Sequence, residues 1–213
     1  MATTDRRILS LTSPDEFQLR YVKTSLLTYR GHQAIQLVES EQNPTDDQPV
    51  AIISNSDFED GVIETAVAGL PRSDAPENAR GFVGIAFRVQ PDASQFECFF
   101  LRPTNSRSHD QLRRNHSTQY MSHPTYPWFR LREENPGVFE SYVDLVPAAW
   151  TNIKIVVSGL TAMLYVDKAS QPCLVVNDLK LGRTRGQIAL WIGGGTEAYF
   201  STRLAVHHSR KAA

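Results

Sequence analysis

Helical periodicity is nearly absent from this chain: apolar residues do not recur at i, i+3, i+4 and i+7, which argues against a helical fold class. Cysteine is scarce. Cys98 and Cys173 are the only two, both inside apolar runs, so buried free thiols are expected rather than a disulfide framework. Neither has the exposed, electropositive setting of a thiolate nucleophile. A net charge of −1 removes any global electrostatic case for nucleic acid or a membrane surface as partner. No window approaches a transmembrane span, and the N-terminal MATTDRRILSLTSPDEF has no hydrophobic signal core. With Met1 as the natural start this predicts a cytoplasmic protein, and a secreted one if a leader was removed. A G-x-S-x-G elbow is missing too, so a covalent serine nucleophile has no visible home.

What is present is a series of short runs rich in Val, Ile, Phe and Tyr, separated by Gly, Pro, Asn and Asp. Examples are AIQLVE (34–39), GVIETAVAG (61–69), GFVGIAFRV (81–89), FECFFLR (96–102), NIKIVVSG (152–159) and GQIALWIG (186–193). About a dozen such runs predict an all-β chain, a two-sheet antiparallel sandwich of the jelly-roll kind. With 213 residues, 41% of them hydrophobic, and no visible linker, one domain over residues 1–213 is expected.

Alternation along the strands sorts side chains by face. In GFVGIAFRV, Val83, Ile85, Phe87 and Val89 read as core, leaving Phe82, Gly84, Ala86 and Arg88 opposite. In QIALWIG, Ile188, Leu190 and Ile192 read as core, leaving Gln187, Ala189 and Trp191 opposite. Small residues with an aromatic and a charge on the second face suggest the floor of a concave groove.

The strand W-x-x-I-K-I-x-V-x-G from Trp150, the hairpin L-Y-V-D and the closing G-x-I-x-L-W followed by A-Y-F carry a family resemblance. Over residues 57 to 206 the chain resembles the concanavalin A-like lectin and glucanase superfamily, in particular the branch holding the 3-keto-disaccharide hydrolase domain. That resemblance implies a jelly roll and a carbohydrate ligand, but the fold hosts lectins, hydrolases, lyases and adhesion modules alike. The E-x-D-x-x-E strand of laminarinase-type enzymes and the Q-I-H strand of alginate lyases are both missing, so neither family's catalytic residues carry over.

The most polar stretch, QLRRNHSTQYMSHPTYPWFRLREENPG (111–137), lies between strands and is expected to fold over the concave face. A loop longer than about 12 residues in a compact domain is uncommon and often functional. Its residues also admit a bland reading, in which the arginines pair with Asp110, Glu133, Glu134 and Glu140 to satisfy a buried loop. Read as extended chain, it sends His116, Thr118 and Tyr120 one way and Asn115, Ser117 and Gln119 the other, and puts Arg130 and Arg132 on one face. Trp128 and Trp191 offer rings for stacking on a sugar. Arg88, Arg102, Arg130, Asn115 and Gln119 offer donors for hydroxyls or an oxyanion. His116, Tyr120 and Glu97 are the candidate acid–base groups.

The sequence therefore points to a β-sandwich that takes a small-molecule or oligosaccharide ligand and works on it by acid–base chemistry, as a hydrolase or lyase. Two alternatives remain open: a non-catalytic carbohydrate-binding module, and a cytosolic isomerase or cyclase acting on a non-carbohydrate molecule. No cofactor is implied. Histidines at 109, 116 and 123 have no ligand-like spacing, so no metal site is expected.

Overall fold

The structure, a computed structural model, describes residues 5–40 and 49–208. Of the described residues 51% are strand and 11% helix. The first strands are β1 (Asp5–Ser10), β2 (Phe17–Arg20), β3 (Val22–Tyr29), β4 (His32–Glu39), β5 (Val50–Ile53) and β6 (Gly61–Pro71). Next come β7 (Val83–Val89), β8 (Phe96–Leu101), helix α1 (Pro103–Ser106), helix α2 (Gln111–Asn115), β9 (Thr118–His123), helix α3 (Trp128–Glu134) and β10 (Glu140–Ser141). The chain closes with β11 (Thr151–Ser158), β12 (Thr161–Val166), β13 (Leu174–Val176), β14 (Gln187–Ile192), β15 (Thr196–Ser201) and β16 (Arg203–His208).

They form two antiparallel sheets. One runs β13-β12-β11-β6-β15-β4-β3, with β16 and then β1 added alongside β6; the other runs β10-β9-β8-β7-β14-β5-β2. In β11 every second residue is buried, the period-2 signature that places Ile153, Ile155 and Val157 between the sheets. They meet Phe87, Phe99, Leu190 and Ile192 from the second sheet. Ile52, Ala86, Cys98, Phe100, Met121, Ala189 and Trp191 form a separate apolar cluster on that sheet's other face. Its central strands β7, β8 and β9 are consequently buried on both sides. Phe82 and Trp128 pack onto this outer cluster, so the connection after β9 covers the face, as the sequence suggested.

Alternation fails at one point. Phe87 and Arg88 together oppose Ile188, a β-bulge marked by a register shift and by φ of +54° at Arg88. Gly186 is needed opposite, because a Cβ there would lie 2.5 Å from the Arg88 carbonyl carbon. The extra residue moves Val89 from the expected core face to the outer cluster. It also takes Arg88 away from the face that carries Trp191. Arg88 donates to Glu59 O, Gly182 O, Gly159 O and Asp60 Oδ1 at 2.7 to 3.0 Å, tying three loops together.

Candidate functional site

A cleft of about 820 Å3 opens on the outer face of the second sheet, within the size range of ligand pockets. Phe82 lines its floor, with Trp191 beneath. The turn Gly193–Gly195 closes one end, and Gly193 sits so near Phe82 that a Cβ would come within 2.7 Å of the ring. One wall is the polar loop 72–80. The other is built from α1, α2 and α3 with Arg102, His116, Trp128 and Arg132.

Each wall residue has a local reason for its place. Arg102 follows Phe100 and Leu101, so alternation turns it to the outer side with Phe100. Asp110 caps α2 by accepting from Leu112 N and Arg113 N at 2.9 and 3.3 Å. In α3, Trp128 and Arg132 are one turn apart and share a face, with the Arg132 guanidinium 4.9 Å from the centre of the Trp128 ring. Leu131 of the same helix anchors in the intersheet core.

Arg102 is the unusual member. Its guanidinium lies 4.9 Å from the ring centre of Phe82, 5.0 Å from Phe100 and 4.7 Å from Trp128. Nη1 donates to His116 O at 3.3 Å and Gln119 Oε1 at 3.1 Å, with Glu140 Oε2 3.9 Å away. Nε and Nη2 are buried with no hydrogen-bond partner. Burial, and after it the neighbouring Arg132 charge, push its pKa down to about 9, which still leaves it cationic at neutral pH. Glu140 anchors the group from beneath: Arg132 grips it through Nε and Nη2 at 2.9 and 2.7 Å, and His116 Nε2 lies 3.1 Å from Oε1. Burial and then Arg132 lower the His116 pKa against the opposing pull of Glu140. His116 at neutral pH is therefore a neutral donor to Glu140 rather than half of an ion pair.

Of the residues singled out from the sequence, Arg102, His116 and Trp128 line this cleft, and Gln119 lies buried under Arg102. Trp191 lies beneath the floor, buried against Phe100, so its ring has no open face for stacking on a sugar. Others are placed elsewhere. Glu97 and Tyr120 point into the sandwich, since Phe96, Cys98 and Met121 beside them take the outer face. Tyr120 Oη donates to Glu97, and the two oxygens accept backbone N–H groups from Lys180 at 2.9 Å and Leu181 at 2.7 Å. This is a buried latch, and burial raises the Glu97 pKa and holds that of Tyr120 well above its usual value. Asn115 is exposed on α2, accepting from Gln111. Arg130 lies in a helix, not in extended chain, so it faces away from Arg132 and pairs with Glu134 at 2.7 Å. Arg88 belongs to the bulge. The sequence reading missed Arg80 as a cleft residue and the 72–80 loop as a wall; that loop reads as an ordinary polar connection and carries no signal of its own.

Among the described residues, no group of three or more His, Cys, Asp or Glu side chains is placed to hold a metal ion.

No protein-family model matches the chain, and no curated protein matches it in sequence. Solved structures do match in shape. A Bacillus subtilis protein of unknown function with a galectin-like fold superimposes with TM-score 0.62 at 13% identity, over 99% of this chain and 100% of that one. The carbohydrate-binding module CBM66 from Bacillus subtilis gives TM-score 0.55 at 14% identity, over 88% and 96%. Bacillus licheniformis β-glucanase gives 0.53 at 12% identity, over 98% and 100%. At such identities the likeness establishes the fold alone: this chain has a two-sheet antiparallel β-sandwich fold of the galectin-like kind.

Proposed function

We propose that the protein binds an oligosaccharide in the outer-face cleft and acts on it by acid–base chemistry with His116 as the base. The observation that carries this reading is the cleft itself, where the partly buried Phe82 and Trp128 supply ring faces beside a neutral histidine backed by a buried carboxylate. Aromatic faces suit the apolar faces of pyranose rings, and arginine and asparagine donors suit their hydroxyls. Hydrogen on Nε2, donated to Glu140, leaves the lone pair on Nδ1. The fold shared with a β-glucanase and a carbohydrate-binding module supports a sugar ligand.

Elimination fits these groups better than hydrolysis. A two-carboxylate hydrolase needs an acid and a second carboxylate facing one glycosidic bond. Here Glu97 is on the wrong side of the sheet, and Glu140 is held by Arg132 and His116. In an elimination, His116 takes the proton from the carbon next to a carbonyl or carboxylate. A C=C bond forms, the C–O bond to the departing sugar breaks, and the departing oxygen takes up a proton. The second reading is a non-catalytic carbohydrate-binding module, which the likeness to such a module supports.

The test is a panel of oligosaccharides assayed for both binding and product. Trp128→Ala should abolish binding, whereas His116→Gln should bind but turn over about 10²–10⁴-fold more slowly. Binding with no product from any sugar, in wild type as in the variant, would favour the module.

A further inference from the structure

The arginines of the cleft are not matched by acids. Five of them, Arg72, Arg80, Arg102, Arg113 and Arg132, line it against three carboxylates, Glu39, Asp74 and Asp110. Arg72 is neutralised by Asp74 at 2.5 Å, and Arg132 by Glu140. Asp110 is committed to capping α2. Among the described residues, neither Arg80 nor Arg113 has a carboxylate within ion-pair distance. Arg80 donates to two carbonyls, Glu77 O and Ala79 O, and Arg113 Nε to Asn105 Oδ1 at 3.1 Å. They face the same cleft as like charges, and after burial the Arg113 charge is the largest influence lowering the Arg80 pKa.

The third group is the buried Arg102, which shares Glu140, 3.9 Å away, with Arg132 and has two nitrogens without an acceptor. Its two unpartnered atoms, Nε and Nη2, are neighbours on one edge of a planar group. That edge presents two parallel N–H bonds, the arrangement that grips both oxygens of a carboxylate. A buried donor without an acceptor is unfavourable, and the surrounding rings supply π faces but no oxygen.

Resting on the sugar-binding reading above, we propose that the ligand is an acidic oligosaccharide, with a uronate carboxylate taken by the Nε–Nη2 edge of Arg102 and steered in by Arg80 and Arg113. The edge is closed to water, so docking includes a shift of the half-exposed Trp128 or Arg132 side chain. A carboxylate held there is also what proton abstraction from the adjacent carbon requires, because pairing with guanidinium groups stabilises the negative charge that develops on it.

The experiment measures affinity by calorimetry for oligosaccharides of galacturonate, glucuronate and mannuronate, each beside its carboxyl methyl ester. A sulfated neutral oligosaccharide and a neutral oligosaccharide complete the set. Among the sugars that bind, the acid should bind at least about tenfold tighter than its ester, the scale of one charged hydrogen-bonding pair. That preference should shrink on adding salt. It should fall in Arg113→Gln and in Arg80→Gln, whose side chains are only part-buried, and vanish in Arg102→Gln wherever that variant folds. Esters binding as tightly as acids, or a preference unchanged in the Arg80→Gln/Arg113→Gln double variant, overturn the proposal while leaving the sugar reading intact. A sulfated sugar bound as tightly as the best uronate overturns the carboxylate assignment. No binding by any sugar removes both.

Discussion

A guanidinium taken out of water needs its donors matched, and the two fully buried arginines of the second sheet differ on that count. Arg88 has four short hydrogen bonds, one of them to Asp60. Arg102 has one loaded nitrogen and two idle ones. The first is a structural staple. Arg88→Met should therefore lower stability by about 3–5 kcal/mol, the usual cost of breaking a buried pair, with the change read from urea denaturation. His116 offers a pH test. Its folded pKa lies below the ordinary value of about 6.5, because burial and Arg132 disfavour the cation. The stability that depends on keeping it neutral is full above pH 6.5 and is lost as pH falls toward the folded midpoint. An imidazole NMR titration should find that midpoint below 6.5, and further down in Glu140→Gln, which removes the one group that raises it most. A midpoint at or above 6.5 contradicts the neutral base.

At the scale of elements, the strands were legible and the helices were not. Alternation alone places Phe87, Leu190 and Ile192 between the sheets and Trp191 opposite, because period 2 over six residues is unambiguous. A seven-residue helix such as α3 spans two turns, too few to show a 3.6-residue period, and its packing through Leu131 is tertiary. For that reason the sequence places Arg130 and Arg132 on one face of an extended segment, where the structure has a helix. The bulge at Arg88 was equally hidden, since one extra residue leaves no mark in a run of apolar residues. Two predictions belong here. Gly186→Ala should destabilise by about 1–3 kcal/mol, as overpacking against the bulge backbone does. Tyr120→Phe removes a phenol that bridges Glu97 and Lys180 N. It should lower the melting temperature, through a loss of about 1–3 kcal/mol, while sugar affinity at the cleft stays at the wild-type value. A variant of normal stability but no activity would return Tyr120 to the reaction.

At the scale of the molecule, the two-sheet sandwich follows from composition and alternation, whereas only one wall of the cleft does. Of that wall, α2 and α3 lie in the polar stretch that the sequence places over the face, with α1 just ahead of it; the other wall, the 72–80 loop, is distant in sequence and shares no pattern with it. Only the fold brings Arg80 to face Arg113. The nine-stranded sheet has an aromatic cluster of its own on its outer side, where Tyr29 stacks on Tyr199 at 3.5 Å and meets Trp150 edge-on at 5.7 Å. The Tyr29, Trp150 and Tyr199 donors there are all engaged, with Ala148 O, Tyr29 O and Glu197, so the sugar is assigned to the other sheet. The most direct measurement is a crystal structure of the protein with the tightest-binding oligosaccharide of the panel. The account predicts a sugar ring against Phe82 or Trp128, with an oxygen-bearing substituent on Arg102. A sugar seated on Tyr29, Trp150 and Tyr199 instead would contradict it.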